Sequence, residues 1–435
     1  MNGTDYSDSS MPIPRKTARF ARPPAGRHPA PGPWLRLLAL GATAATALVV
    51  ATGEHALTHD AAVLVALALL VTTALAARLG HRERRDLVLM AGAALGLFVV
   101  QIGLGGIVAL TDGAGWAVNL HVALGAVALA ASAVTAGVAF RDCTAVLGGS
   151  WRDYVTLTKP RIMTLLLLTA AGGFFAGSGG DVSWRVFAAT MGGLALACGG
   201  ASALNHVLDR DIDRLMGKRT EKRPVAAGRV PPELALEFGL ALSGASFVVL
   251  ATTVNVLAAH LALFGNLFYV LVYTRWLKRT TPQNIVIGGA AGAVPPVVGW
   301  AAATGNLTLP ALLLFLIVFF WTPPHFWALA LLIRREYAAA RIPMLPVVRG
   351  ERETTRSIVR YTLAMIGVTV LPFAANAAGW LYLGVALALG MVFLGLAVAL
   401  ARQTTPANAR RLFSYSLAYL ALLFVALAVD PMVVS

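Results

Sequence analysis

Asn205, Asp209 and Asp213 stand at i, i+4 and i+8 in "NHVLDRDIDR", directly after the apolar run "VFAATMGGLALACGGASAL". On a helix this spacing stacks three oxygen-bearing side chains in one stripe, about 6 Å per step, and leaves Asp211 off it. Carboxylates crowded at a membrane edge repel one another and need a cation, and hard oxygen donors around a phosphate-bearing substrate suit Mg²⁺. A bland reading also fits: a solvated helix end whose acids pair with Arg210, Arg214, Lys218 and Arg219. The basic run "RTEKRP" just downstream favours the chemical reading, because acids beside cations have a natural client in diphosphate. Lys159, Arg161, Arg219, Arg223, Lys278 and Arg279 are the candidates to grip its oxygens, although basic residues gather on that side of a membrane in any case.

The elements that must hold these groups are membrane helices. The 435 residues are 58% hydrophobic and 13% charged, against roughly 25% charged in soluble domains. Apolar segments long enough to cross the ~30 Å hydrocarbon core recur along the chain. Thirteen spans are expected, near residues 35–53, 60–79, 86–110, 116–139, 162–178, 185–208, 233–253, 257–273, 284–303, 308–333, 357–376, 379–401 and 411–430. The fold class is therefore an all-α polytopic membrane protein. Its +15 charge sits in alternate connections, among them "RLGHRERR", "RWLKR" and "RGERETTR", with Arg185 the mild exception. Positive charge stays inside, which puts the N-terminus in the cytoplasm, the C-terminus outside, and the chain in the cell membrane. Nucleic acid is not an expected partner, because the basic residues are scattered over short loops instead of forming one basic domain. Cys143 and Cys198 make neither a disulfide framework nor a metal quartet.

The clearest internal boundary is the basic linker at residues 141–161. It follows a disordered basic tail (1–34) and four helices (35–140), and precedes nine more helices (162–435). No period of 20–50 residues recurs, so a solenoid is not expected.

"NHVLDRDIDRLMGKRTEKRPVAAGRV" resembles the first Asp-rich motif of the UbiA-type intramembrane prenyltransferases. Within that superfamily, "YTRWLKRTTPQNIVIGGAAGAVPPVVGW" and "WTPPHFWALALLIRREYAAARIPMLPVVRG" resemble the heme O synthase branch, from about Trp151 to the C-terminus. The resemblance implies a nine-helix enzyme that joins the farnesyl group of farnesyl diphosphate to a vinyl group of heme b. It implies that Asn205, Asp209 and Asp213 hold Mg²⁺ and diphosphate, and that Arg219, Arg223, Lys278 and Arg279 grip phosphate oxygens. Ionising an allylic diphosphate also creates a carbocation that needs a dry pocket, for which Tyr273, Trp300 and Trp327 are aromatic candidates, with packing as the alternative. A second Asp-rich motif is reduced to "RREYAAAR", where Glu336 and Tyr337 fit the branch loosely. His325 in "TPPHFWAL" is a candidate to ligate heme iron or bond a propionate; it could equally satisfy carbonyls freed by the two prolines. His206 would orient its neighbours.

Upstream, "QIGLGGIVALTDGAGWAVNLHVALGAVALA" resembles part of heme A synthase, a protein of two four-helix halves that pairs histidines across a heme. His59 and His121 lie at similar depth on alternate spans, as a bis-imidazole heme site requires. Only one half is present, and Glu54 near His59 does not align securely with that family's catalytic carboxylate. A heme-holding, docking or vestigial role is expected, with heme A synthase itself as a candidate partner. Two other functions compete with heme farnesylation: prenylation of a quinone precursor, and a non-catalytic heme carrier.

Overall fold

The computed structural model describes residues 31–51, 56–111, 113, 115–140, 149–218 and 220–434, with backbone alone for 51, 56–58 and 431–434. Among the described residues, thirteen helices are long and apolar enough to cross a membrane, matching the thirteen expected spans.

The first four are α1 (Pro33–Ala51), α2 (Ala56–Gly80), α3 (Arg85–Leu110) and α4 (Gly115–Phe140). Their core is built mostly from alanine, with Ala42, Ala45, Ala62, Ala66, Ala94 and Ala128 around Phe98. Small side chains let lipid-embedded backbones approach closely, which suits a medium where burial of apolar surface drives little.

The linker is partly helical, unlike the connection expected there. Ser150 and Asp153 form a reciprocal capping box on α5 (Trp151–Thr158), and Arg229 Nε reaches Asp153 at 2.8 Å. Lys159 then turns the chain in a left-handed conformation (φ 52°, ψ 58°) into α6 (Pro160–Ser178).

The rest of the chain runs through α7 (Trp184–Leu208), α8 (Arg210–Leu215), α9 (Pro232–Thr253) and α10 (Val256–Leu267). A π-helical stretch, Phe268–Leu277, carries α10 onward into α11 (Lys278–Thr280). There follow α12 (Asn284–Thr304), α13 (Leu309–Leu332), the short α14 (Arg334–Ala339) and α15 (Leu345–Val348), then α16 (Gly350–Ala374), α17 (Trp380–Arg402) and α18 (Pro406–Val434). Two glycine contacts fix the helices that carry chemistry. A Cβ on Gly200 of α7 would lie 2.8 Å from Gly239 O of α9, and one on Gly299 of α12 would lie 2.0 Å from Ala170 O of α6.

The two modules are packed into one body, with α2 along α9. Leu35, Leu38, Ala76 and Leu87 share a cluster with Leu204, Leu240 and Val270. At the acid-bearing end, buried Glu237 of α9 accepts hydrogen bonds from Gly32 N and Leu35 N, both at 3.3 Å, and bonds His81 Nε2. A carboxylate at the start of α1 satisfies orphan N–H groups and complements the helix dipole.

Candidate active site

The stripe survives a break in its helix. Leu208 ends α7 and Arg210 begins α8, with Asp209 at the joint, yet Asp209 N bonds Asn205 O and Asp213 N bonds Asp209 O, each at 2.8 Å. All three side chains are buried, at 3%, 0% and 1% exposure. That excludes the solvated helix end for the stripe and leaves it to Asp211 alone.

The acids are met by cations from three separate elements. Lys278 Nζ lies 2.5 Å from Asp209 Oδ2, and Arg223 NH1 lies 2.6 Å from Asp213 Oδ1. Lys159 Nζ donates to Asn205 Oδ1 at 2.7 Å, and Asn205 Nδ2 donates to Asp209 Oδ2 at 2.8 Å and Thr274 Oγ1 at 3.1 Å. Arg279 forks onto Asp211 at 2.7 and 2.8 Å and donates to Leu208 O at 2.7 Å. Four basic side chains thus gather around three carboxylates, a setting that suits an anionic ligand.

The electrostatics outside the spans follow this layout. Burial, with the charges of Arg223 and Lys278, pushes the Lys159 ammonium down to about 7. The Arg279 hydrogen bond holds the Asp211 carboxyl at about 2, and burial raises that of Asp213. Burial also raises the Tyr337 phenol, which sits within electrostatic reach of Lys278, Arg223 and Asp209.

Two carboxylate oxygens, Asp209 Oδ1 and Asp213 Oδ2, are buried with no hydrogen-bond partner. Such oxygens fit a hard divalent cation. Among the described residues no three His, Cys, Asp or Glu side chains form a metal cluster. A cation there would share its shell with substrate oxygens, as Mg²⁺ characteristically does.

Of the other expected residues, Tyr273 and Tyr337 border the cluster: Tyr273 lies in the π-helical stretch, meets Tyr269 in a tilted ring contact at 5.5 Å and packs in the apolar group of Tyr337. Gly288 leaves the space that the Tyr273 ring fills, a Cβ there falling 2.3 Å from it. Glu336 stands beside Gly217 in the loop after the acids, 4.0 Å from where a Cβ would be. Arg161 is not brought in; its side chain is exposed. Arg219, Cys143 and Glu54 lie outside the described residues. Trp327 packs edge-on to Tyr361 of α16 at 5.2 Å, and Trp300 sits by Gly177 near the far end of α12 from Asn284.

Thr274 and Asn284 were not singled out from sequence, whereas His206 was expected to orient its neighbours and bonds none of them. Thr274 lies four residues before Lys278, a spacing that puts both on one face. Asn284, fully buried at the start of α12, has both amide atoms unpartnered. His206 has both ring nitrogens unpartnered beside the stripe. In the N-terminal module the His59 and His121 rings do come together, 6.4 Å apart between centroids. Gln101 Nε2 reaches His121 Nε2 at 3.3 Å, and His121 Nδ1 is buried without a partner.

An all-helical membrane body with paired acids and cations at one end of an apolar bundle describes an intramembrane enzyme for a diphosphate-bearing substrate. The chain belongs to the UbiA prenyltransferase family, whose profile matches residues 166–426. It is 53% identical over 280 residues to protoheme IX farnesyltransferase 1 of Pseudomonas fluorescens, covering 64% of this chain and 93% of that one. It is 45% identical over 379 residues to protoheme IX farnesyltransferase of Roseiflexus castenholzii, covering 80% of this chain and 70% of that one. The second match is too long to lie within residues 151–435, so it reaches into the N-terminal module. A solved digeranylgeranylglyceryl phosphate synthase superposes with a TM-score of 0.55 at 16% identity, covering 65% of this chain and 98% of that one, a likeness of fold alone.

Proposed function

We propose that this membrane protein transfers the farnesyl group of farnesyl diphosphate to a vinyl group of heme b, giving heme O and diphosphate. The observation that carries the chemistry is the pair of orphan carboxylate oxygens on Asp209 and Asp213 among Lys159, Arg223, Lys278 and Arg279. The names borne by relatives at 53% and 45% identity favour heme over a quinone precursor as acceptor, and catalysis over a carrier's role.

The residues act as an exchange of partners. In the ligand-free site Lys278 and Arg223 neutralise Asp209 and Asp213. When diphosphate enters, these cations turn to its oxygens, and Asn205, Asp209 and Asp213 are the groups that would hold Mg²⁺. Bound there, Mg²⁺ supplies charge neutralisation for the departing diphosphate. The C1–O bond breaks with its electron pair going to the diphosphate, and the vinyl π bond attacks C1. Water then captures the cation left on the porphyrin side chain and releases a proton. The apolar bundle below the acids keeps the allylic cation from premature capture.

The same reading puts the acid-bearing end at the cytoplasmic face of the cell membrane, supported by the alternation of basic loops. In the N-terminal module, His59 and His121 would hold a heme. The observation that supports this is the approach of the two rings, 6.4 Å apart between centroids, with His121 Nδ1 unpartnered. A module holding heme beside a heme-modifying site suits hand-over to heme A synthase as partner. Replacing both histidines with alanine in the full chain should abolish a resident low-spin heme spectrum; an unchanged spectrum would sink the heme role. For the enzyme, purified chain given heme b, farnesyl diphosphate and Mg²⁺ should yield farnesylated heme. No product, or equal product from Asp209→Asn, would overturn the assignment.

A further inference from the structure

His325 lies on α13 just after Pro323 and Pro324, which lack the N–H groups that would engage the carbonyls of Phe319 and Phe320. Its ring does not serve those carbonyls. Nδ1 lies 2.6 Å from Ser416 Oγ on α18, and the same Ser416 Oγ lies 2.6 Å from Phe413 O. A hydroxyl has one proton, and a carbonyl can only accept. The Ser416 proton therefore goes to Phe413 O, so Ser416 must accept from His325, and the imidazole carries its proton on Nδ1. Nε2 is left with a bare lone pair. It makes no hydrogen bond to any described residue, in a side chain that is 6% exposed.

The rest of the surroundings fix the ring. Trp321 stacks on one side at 4.4 Å and 18°, and Phe413 stacks at 4.8 Å and 26°. Trp321 Nε1 donates to Ser416 O at 2.8 Å, so backbone and side chain of one serine hold two aromatic residues one helical turn apart. A neutral imidazole oriented by a hydrogen bond at one nitrogen is the usual form of a metal-ligating histidine.

We infer that His325 Nε2 is an axial ligand to the iron of the porphyrin substrate, and that Ser416 is the positioning residue that selects the ligating tautomer. The inference rests on heme b being the acceptor. Ligation from a span would tether the porphyrin by its iron, leaving a peripheral vinyl group free to reach farnesyl C1.

The test uses purified full-length chain carrying His59→Ala and His121→Ala, titrated with ferric heme b and with metal-free protoporphyrin IX. Heme b should bind with the Soret band of an imidazole-ligated iron and about tenfold or more tighter than the metal-free ring. His325→Gly should lose that band and the preference, and added imidazole should restore the band. Ser416→Ala should weaken heme binding about tenfold and leave metal-free binding unchanged, whereas Ser416→Thr, which keeps the hydroxyl, should behave as the parent. An unchanged Soret band in His325→Gly, or equal loss for both porphyrins in Ser416→Ala, overturns the inference and shows a helix tie only. Should His325→Gly fail to fold, the Ser416→Ala and Ser416→Thr pair decides. Farnesylation by the parent chain reads the underlying assignment separately, so failure of ligation and failure of heme as acceptor give different results.

Discussion

At the scale of single residues, the site is a set of buried charges that satisfy one another until substrate arrives. Asp209 is fully buried against Lys278, whereas Asp211 is 59% exposed against Arg279. Asp209→Asn should therefore lower kcat/KM about a hundredfold or more, and Asp211→Asn by less than about fivefold, the range of an exposed pair. Steady-state kinetics on the two variants checks the ranking; equal losses would count against the stripe. Lys278→Ala leaves the Asp209 charge unpaired in the interior and should destabilise the chain by about 3–5 kcal/mol, read by thermal or denaturant unfolding in detergent. The stripe itself was legible in the sequence because a spacing of four is a geometric signal that holds across the break at Asp209. Charge alone was a weaker guide: Arg161 looks like Lys159 in composition but points away, because only Lys159 occupies the left-handed joint that turns its ammonium onto Asn205.

At the scale of elements, the glycine contacts and the π-helical stretch decide where the chemistry sits. Gly299 touches the α6 backbone so closely that Gly299→Ala must push α12 away, at a cost of about 1–3 kcal/mol, with a matching fall in melting temperature. A variant as stable as the parent would show the contact to be looser than drawn. The Ser150–Asp153 box and Arg229 fix α5 and with it Lys159. Arg229 holds the Asp153 carboxyl below the usual range, so its contribution is present above the unfolded value near 4 and is lost as pH falls through the lower folded value. Asp153→Asn should cost about 1 kcal/mol at neutral pH, and the difference should shrink as pH falls below the unfolded value, seen as converging melting curves. Helix number and order were readable from hydropathy, which sums over twenty residues. The π-helical stretch was not, because about one residue per turn of extra backbone leaves no mark in composition; the eighth span was expected to end near 273, and instead runs on to Thr280.

At the scale of the whole molecule, two modules recognisable as separate patterns are joined by a buried polar lock. Glu237 is a lone acid inside "PELALEFGL", and nothing in its own neighbourhood says that its partners lie 156 and 205 residues away at His81 and Gly32. Glu237→Ala should destabilise the full chain by about 3 kcal/mol by stranding His81 and the first N–H groups of α1. Unchanged unfolding would mean that the apolar cluster alone joins the modules. His59 opens α2 and His81, at the lock, follows its end, so the His59–His121 pair and the lock lie at opposite ends of that helix. The central claim is that this body adds a farnesyl group to heme b. Mass spectrometry of heme extracted from membranes expressing the chain tests it most directly. Heme b heavier by one farnesyl group and one hydroxyl group is the predicted species, absent when Asp209 is replaced by Asn; unmodified heme b alone, or a prenylated quinone precursor in its place, would contradict the account.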